Sequence, residues 1–318
     1  MNILITGAFG NIGSSTTENI IAKNEADLKI TCFDVKNEIN LKKSLKFESK
    51  VETIWGDLRN YEDVKNAVRG KDIIIHLAFI LPPLSEVKPD FAYAVNIGGT
   101  KNILDALKEQ NSKAKLVFAS SVSVYGPSLS GQSPRNASDP VAATDNYTSH
   151  KLECERLIKE SGREWVITRF AVVPPLAIGS KFDPLLFEIP LDARIEFVHT
   201  RDVGLALANI LRCGSCAGKI LLIGGGKKCR IYQKEFISRF LETVGIGMLR
   251  EDAFSKKPYY TNWMDTDESQ RLLHYQTRTF DDYLAEIKKT MGFKRYITSI
   301  FSPIIRRSLL SKSRYYKR

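Results

Sequence analysis

The stretch Met1-Asn2-Ile3-Leu4-Ile5-Thr6-Gly7-Ala8-Phe9-Gly10-Asn11-Ile12-Gly13 decides the fold. Its opening apolar run has strand length, and helical periodicity follows it. Glycines at 7, 10 and 13 are what a strand-to-helix turn needs to receive a dinucleotide. One permits the tight turn, one lets backbone N–H groups approach a pyrophosphate, and one lets the helix pack closely on the strand. The helix N-terminus then faces the phosphate charge. The spacing is GxxGxxG rather than the more widespread GxGxxG.

Working outward, apolar runs of strand length recur at 2–5, 28–33, 51–55, 72–77, 115–119 and 165–168. Helical patterns lie between them near 12–23, 61–69, 88–110 and 145–160. Several of the runs are continuous rather than alternating, which suits a parallel sheet covered on both faces. Strand and helix in alternation predict an α/β fold, a Rossmann-type doubly wound parallel sheet. We expect this dinucleotide-binding domain over 1–170. A mixed α/β substrate-binding region, with some segments returning to the sheet, is expected over 171–293, and a basic tail over 294–318. In the second half, 201–211 and 233–244 read as helix and 219–223 as strand.

Asp34 ends the second predicted strand, 21 residues after Gly13. A carboxylate there can accept both ribose hydroxyls of an adenosine and would repel a 2′-phosphate, so NAD is favoured over NADP. Lys36 works the other way, because a cation two residues on could pair with a 2′-phosphate.

Composition agrees with a globular protein. The chain has 318 residues, 43% hydrophobic and 26% charged, enough to bury a full core without metal or disulfide staples. It contains no run of 18 apolar residues and opens without the features of a signal peptide, so a cytoplasmic protein is expected. The net charge is +11, but eight of those charges lie in 294–318, which holds no Asp or Glu and leaves +3 on residues 1–293. The near-balanced body argues against nucleic acid as a partner. The tail mixes apolar anchors with cations, so it reads either as a terminal extension or as a segment contacting an anionic membrane. Five scattered cysteines make no disulfide framework. Cys213-Gly-Ser-Cys216 has metal or redox spacing but no second pair and no histidine close by. His76, His150 and His199 match no metal motif, and no metal site is expected.

Tyr147-Thr-Ser-His-Lys151 opens a predicted helix. Tyrosine and lysine four apart share one helix face, and a lysine ammonium beside a phenol favours the phenolate, lowering its pKa towards general-base work. Twenty-six residues before Tyr147, a predicted strand ends in the pair Ser120-Ser121. Open α/β sheets bind ligands at that end of their strands.

With these residues on the page, the chain resembles the extended short-chain dehydrogenase/reductase superfamily, in its NAD-dependent epimerase/dehydratase family. The matching stretches are Thr6–Gly13, Gly56-Asp57-Leu58, His76-Leu77-Ala78, Asn96-Ile-Gly-Gly-Thr100, Ser120-Ser-Val-Ser-Val-Tyr-Gly126 and Tyr147–Lys151. Phe197-Val-His-Thr-Arg-Asp-Val203 and Gly218-Lys-Ile-Leu-Leu-Ile-Gly-Gly225 follow in order, so the resemblance covers residues 1–290. It implies Tyr147 as general base or acid, Lys151 on the nicotinamide ribose, and Ser121 on the reacting oxygen. It further implies a cofactor-binding set of Gly7, Phe9, Gly10, Asn11, Ile12, Gly13, Asp34, Asp57, Leu58, Leu77, Ala78 and Asn96, with Tyr147 and Lys151. A homodimer through the helices near 88–110 and 145–160 is also implied.

The segment Ser121-Val122-Ser123 carries neither the Asp-Glu of the family's sugar dehydratases nor the glutamate of its decarboxylases. This leaves an epimerase or a simple dehydrogenase. Arg194 could clamp a substrate diphosphate bidentately, or be a structural arginine. Val198 follows Arg169 by 29 residues, a short capping segment. Three functions are therefore expected in turn: an NAD-dependent epimerase of a nucleotide sugar, a net dehydrogenase or reductase of a smaller hydroxy or keto compound, and a non-catalytic dinucleotide-sensing protein.

Overall fold

The computed structural model of the chain describes residues 1–127, 133–176 and 184–316, so Lys317 and Arg318 of the basic tail lie outside it. Its strands are β1 (Asn2–Thr6), β2 (Lys29–Asp34), β3 (Glu52–Trp55), β4 (Ile73–His76), β5 (Lys115–Ser121), β6 (Trp165–Phe170), β7 (Arg194–Glu196), β8 (Lys219–Ile223) and β9 (Arg230–Tyr232). Seven of them form one parallel sheet in the order β3-β2-β1-β4-β5-β6-β8, while β7 and β9 make a separate antiparallel ribbon. The sequence expectation of a doubly wound parallel sheet is met. Boundaries differ from the predicted runs by one or two residues, the usual uncertainty of strand ends.

The helices are α1 (Asn11–Ala22), α2 (Glu38–Ser44), α3 (Tyr61–Val68), α4 (Leu84–Val87), α5 (Pro89–Tyr93), α6 (Gly99–Glu109), α7 (Asn146–Glu160), α8 (Thr200–Ile210), α9 (Gln233–Thr243), α10 (Asp267–Leu273), α11 (Phe280–Met291), α12 (Lys294–Ile300) and α13 (Ser302–Leu310). Alternation along β1 sends Ile3 and Ile5 into one core and Leu4 into the other. The first core is closed by α1 and α8, the second by α3, α6 and α7. Gly204 lets α8 approach α1, since a side chain there would overlap Ser15.

Chain order runs β1-β2-β3 one way from β1 and β4-β5-β6-β8 the other. The C-terminal ends of β1 and β4 therefore flank the switch point where open sheets hold ligands. A third core gathers Phe187, the β7–β9 ribbon, α9, α11 and Leu309 of α13.

Two expectations need correction. The helix expected over 88–110 is broken: a π turn (Ala94–Gly98) separates α5 from α6. Cys213 and Cys216 are joined by a disulfide, because the turn between them brings their Cα atoms to 5.4 Å. Among the described residues no histidine, cysteine or carboxylate cluster could hold a metal. The tail, read as a terminal extension or a membrane-contacting segment, folds as α12 and α13. Among the described residues no helix is long and apolar enough to cross a membrane.

Candidate active site

A cleft of about 560 Å³ opens at the switch point. One end of it is built by the glycines. Gly7 has φ +65°, and a Cβ there would meet the Ala78 backbone at 2.8 Å, so the loops after β1 and β4 touch only because residue 7 is glycine. A Cβ on Gly13 would overlap the carbonyl oxygen of Gly7, so α1 starts directly against the loop. No side chain caps α1 and its first turn holds no acid. Its leading N–H groups are free for an anion.

Beside them Asp34 ends β2. Its carboxylate accepts from the N–H of Phe9 (2.9 Å), the N–H of Val35 (2.9 Å) and Nδ2 of Asn40 (3.1 Å). Burial nevertheless raises its pKa above the usual carboxylate range. The cation near it is Lys43 of α2, whose Nζ donates to the Phe9 carbonyl at 2.7 Å. Lys36, which the sequence suggested, is exposed.

At the other end, β5 delivers Ser121 and the first two turns of α7 deliver Tyr147 and Lys151, all three lining the same cleft. The Ser121 hydroxyl lies beside the phenol of Tyr147 and favours its ionised form. Ser121 Oγ also accepts from the N–H of Ser123 (3.2 Å) and lies 2.7 Å from Ser123 Oγ. Lys151 Nζ donates to the Ala119 carbonyl at 2.5 Å and sits 3.4 Å from the centre of the Phe79 ring. Burial pushes the Lys151 pKa down to about 7 and the Tyr147 pKa up to about 12. The expected lowering of the phenol pKa by Lys151 is absent from this arrangement. The ammonium is turned to Ala119, 5.7 Å from the centre of the Tyr147 ring, and burial of the phenol wins.

Behind the serine pair, Arg169 holds Glu155 through Nη2–Oε2 at 2.7 Å and Nε–Oε1 at 3.0 Å, and Ser120 Oγ donates to Oε1 at 2.6 Å. This buried bracket ties α7 to β5 and β6, and so fixes Lys151, one turn before Glu155, against the strand end.

Residues 4–168 match the 3-beta hydroxysteroid dehydrogenase/isomerase family, just over half the chain. The chain belongs to that family. Its relatives include the D-erythronate dehydrogenase of Haemophilus influenzae, 27% identical over 55% of this chain and 54% of that protein. The chain thus spans about half the length of that relative. An uncharacterized UDP-glucose epimerase of Bacillus subtilis is 27% identical over 88% of this chain and 94% of its own. Among solved structures, a dTDP-glucose 4,6-dehydratase from Streptomyces venezuelae with NAD bound superposes at TM-score 0.78 and 24% identity, over 93% of this chain and 98% of that one. The UDP-glucuronic acid 4-epimerase of Bacillus cereus, with UDP-glucuronic acid and NAD, gives 0.76 and 21% over 91% and 98%. These two likenesses show the shared fold.

Within this family member, Gly7, Gly10, Asn11, Ile12, Gly13, Asp34, Asp57, Leu58, Leu77 and Ala78 line the cleft with the Ser-Tyr-Lys set. Three expected residues do not. Phe9 is fully buried between Phe47 and Trp55 and offers the site only its backbone. Asn96 is buried in the π turn, where its amide brackets Ile80: Oδ1 accepts from the N–H (2.7 Å) and Nδ2 donates to the carbonyl (3.2 Å). It positions a wall of the cleft and lies outside the lining. Arg194 sits on β7 with its guanidinium 5.1 Å from the Trp263 ring, so stacking on the ribbon takes the place of a diphosphate clamp.

The sequence reading missed the apolar wall beside Ser121, Tyr147 and Lys151, formed by Phe79, Ile80, Leu81, Phe91, Val95 and Val173. It also missed Glu86 of α4, whose carboxylate accepts from the N–H of Tyr147 (3.1 Å) and the N–H of Asn146 (3.2 Å) and so caps α7. Glu86 lies sixty residues away in sequence, and no local pattern announces it.

Proposed function

We propose that this chain is an NAD-dependent oxidoreductase of the epimerase type. It moves a hydride at a hydroxyl-bearing carbon, with a nucleotide-activated sugar as substrate. The observation that carries this reading is one continuous cleft joining the uncapped start of α1 and Asp34 to Ser121, Tyr147 and Lys151. The residues present fit a dinucleotide: the glycines let the β1 loop, the β4 loop and the start of α1 pack together at the cleft, and the Asp34 carboxylate lines the same wall. When bound, the nicotinamide supplies the hydride acceptor and donor.

The chain's own residues do the rest. Ser121 holds the reacting oxygen by its hydroxyl, and Tyr147 takes or returns that oxygen's proton at its phenol. Lys151, whose ammonium is turned to the Ala119 carbonyl, would hold the nicotinamide ribose at the same end of the cleft. Phe79, Phe91 and Val95 keep water from the reacting end. The reading also includes a cytoplasmic homodimer through α6 and α7, testable by light scattering.

The test is mass spectrometry of small molecules released on denaturation, followed by turnover assays. Stoichiometric NAD with no net NADH during turnover supports the epimerase. The apolar wall favours a second reading, a net dehydrogenase of a smaller hydroxy or keto compound. Net NADH formation with a weakly held cofactor would select it.

A further inference from the structure

Residues 293–316 fold with two apolar sides, and only one of them is used. On the used side Leu309 is buried, and Ile305, Leu310, Tyr315 and Tyr316 pack on the C-terminal core. Ser313 Oγ donates to the Ala253 carbonyl at 2.5 Å, and α12 rests its Arg295 carbonyl where a side chain on Gly245 would collide. The two helices are therefore held in place.

On the other side Phe293 (75% exposed), Ile300 (74%), Ile304 (68%) and Phe301 (51%) stand in solvent, with Tyr296 and Ile297 between them. Within α12 the spacing of three and four residues puts Phe293, Tyr296, Ile297 and Ile300 along one face, and Phe301 and Ile304 continue the exposed apolar surface at the junction and on α13. Monomeric proteins rarely leave contiguous apolar surface of this kind bare. Flanking it are Lys294, Arg295, Arg306, Arg307, Lys312 and Arg314, and 294–316 contains no Asp or Glu. Among the described residues, Arg314 is the one tail cation paired with a carboxylate, that of Glu188. Arg306 and Arg307 share a hollow with Pro303, Tyr316 and Arg250, whose guanidinium is already paired with Asp252. Arg307 follows Ile304 by three residues, so a cation and an apolar anchor share one face of α13.

We propose that residues 293–316 are a docking platform for an anionic lipid bilayer. Phe293, Ile300, Phe301 and Ile304 enter the headgroup region, and Arg306 and Arg307 meet lipid phosphates. Only this occupant satisfies both halves of the surface. A second copy seated on the same face would bring cation against cation with no acid in the segment to answer it. A nucleic acid would pair with the cations and leave the Phe and Ile side chains wet. A bilayer takes apolar side chains and phosphate contacts at one depth. The inference stands on the tail alone and does not depend on the reaction proposed above.

The test is co-sedimentation of the full chain with phosphatidylcholine vesicles, with and without phosphatidylglycerol, at low and raised salt. Binding should require phosphatidylglycerol and weaken with salt. Arg306→Gln with Arg307→Gln should lower partitioning about fivefold per charge removed. Ile300→Ser with Ile304→Ser should lower it at least about tenfold. Both variants should keep the wild-type melting temperature and activity, because the four side chains are exposed and remote from the cleft residues. The proposal falls if phosphatidylglycerol vesicles do not bind. It falls also if the isoleucine pair can be replaced without loss, which would leave a purely electrostatic surface. A dimer that dissociates in the isoleucine variant, with no lipid binding by the wild type, would give the face to a second copy instead.

Discussion

The backbone N–H of Phe9 donates to Asp34 Oδ2 across 2.9 Å. The glycine loop and the Asp34 carboxylate, the proposed phosphate and ribose contacts, are thus one unit, and a change in either is felt by both. Asp34→Ser removes the charge and leaves that N–H without its acceptor. A hydrogen bond to a charged group contributes about 1.5–3 kcal/mol, so NAD affinity should fall on the order of tenfold to a hundredfold. Discrimination against NADP should shrink as well. Titration of both cofactors by fluorescence checks this; an unchanged NAD-to-NADP affinity ratio would remove Asp34 from cofactor selection.

Tyr147→Phe deletes the proposed proton carrier and leaves the cleft's shape. Turnover should drop roughly 10²–10⁴-fold, the usual contribution of a positioned acid or base. The cofactor content of the purified variant should equal that of the wild type. Activity within a few-fold of wild type would return the chain to the non-catalytic reading.

Lys151 makes stability depend on pH. Its pKa is about 7 in the folded chain against 10.5 ordinarily. Between those values the unfolded chain binds a proton that the folded chain lacks, so folding weakens as pH falls from about 10.5 to about 7 and levels off below. Lys151→Met removes that dependence. At neutral pH the variant should be inactive yet more stable than wild type by on the order of 1 kcal/mol, with the gap closing as pH rises towards 10. Thermal unfolding of both proteins across that range is the measurement, and a pH-independent gap contradicts the assignment.

Glu155 behaves in the opposite sense. Its contacts with Arg169 and Ser120 outweigh burial and hold its pKa below the usual carboxylate range. That stability is complete above the unfolded value near 4.5 and is lost as pH falls through the lower folded value. Glu155→Gln strands a buried guanidinium and should cost about 3–5 kcal/mol near neutral pH, with the difference narrowing in acid. Denaturant melts at several pH values test it.

Gly13 and Gly98 separate two uses of glycine. A Cβ on Gly13 overlaps the Gly7 carbonyl, whereas on Gly98 its nearest neighbour is the Tyr93 carbonyl oxygen at 3.9 Å. Gly13→Ala should therefore destabilise by about 1–3 kcal/mol and abolish cofactor binding. Gly98→Ala, at a helical residue, should be neutral or stabilising by about 0.5 kcal/mol. Melting temperature and cofactor affinity of the pair decide the point.

The chain's local chemistry was enough for the sheet and the cleft. Continuous apolar runs such as Ile73–His76 identify buried parallel strands, and glycines 7, 10 and 13 identify the turn between β1 and α1, because both signals come from neighbours in sequence. Tyr147 and Lys151 were legible for the same reason, one helical turn apart. The π turn at Ala94–Gly98 was not, since it owes its place to the bracket of Asn96 on Ile80 across sixteen residues. The placement of Arg194 on Trp263, the cap of α7 by Glu86 and the buried Glu155–Arg169 pair were equally hidden. So was the balance of pKa values. Sequence spacing predicts a lysine beside a tyrosine, but which way its ammonium turns, and how dry the phenol is, depend on Ala119, Phe79 and Phe118 from distant segments. Sequence by itself determined the fold class and singled out the glycine loop with Ser121, Tyr147 and Lys151 as candidates, through continuous apolar runs and spacings of three and four. Tertiary structure alone decided which side chains face the cleft and how they are charged, because orientation and desolvation are set by contacts between residues far apart in the chain.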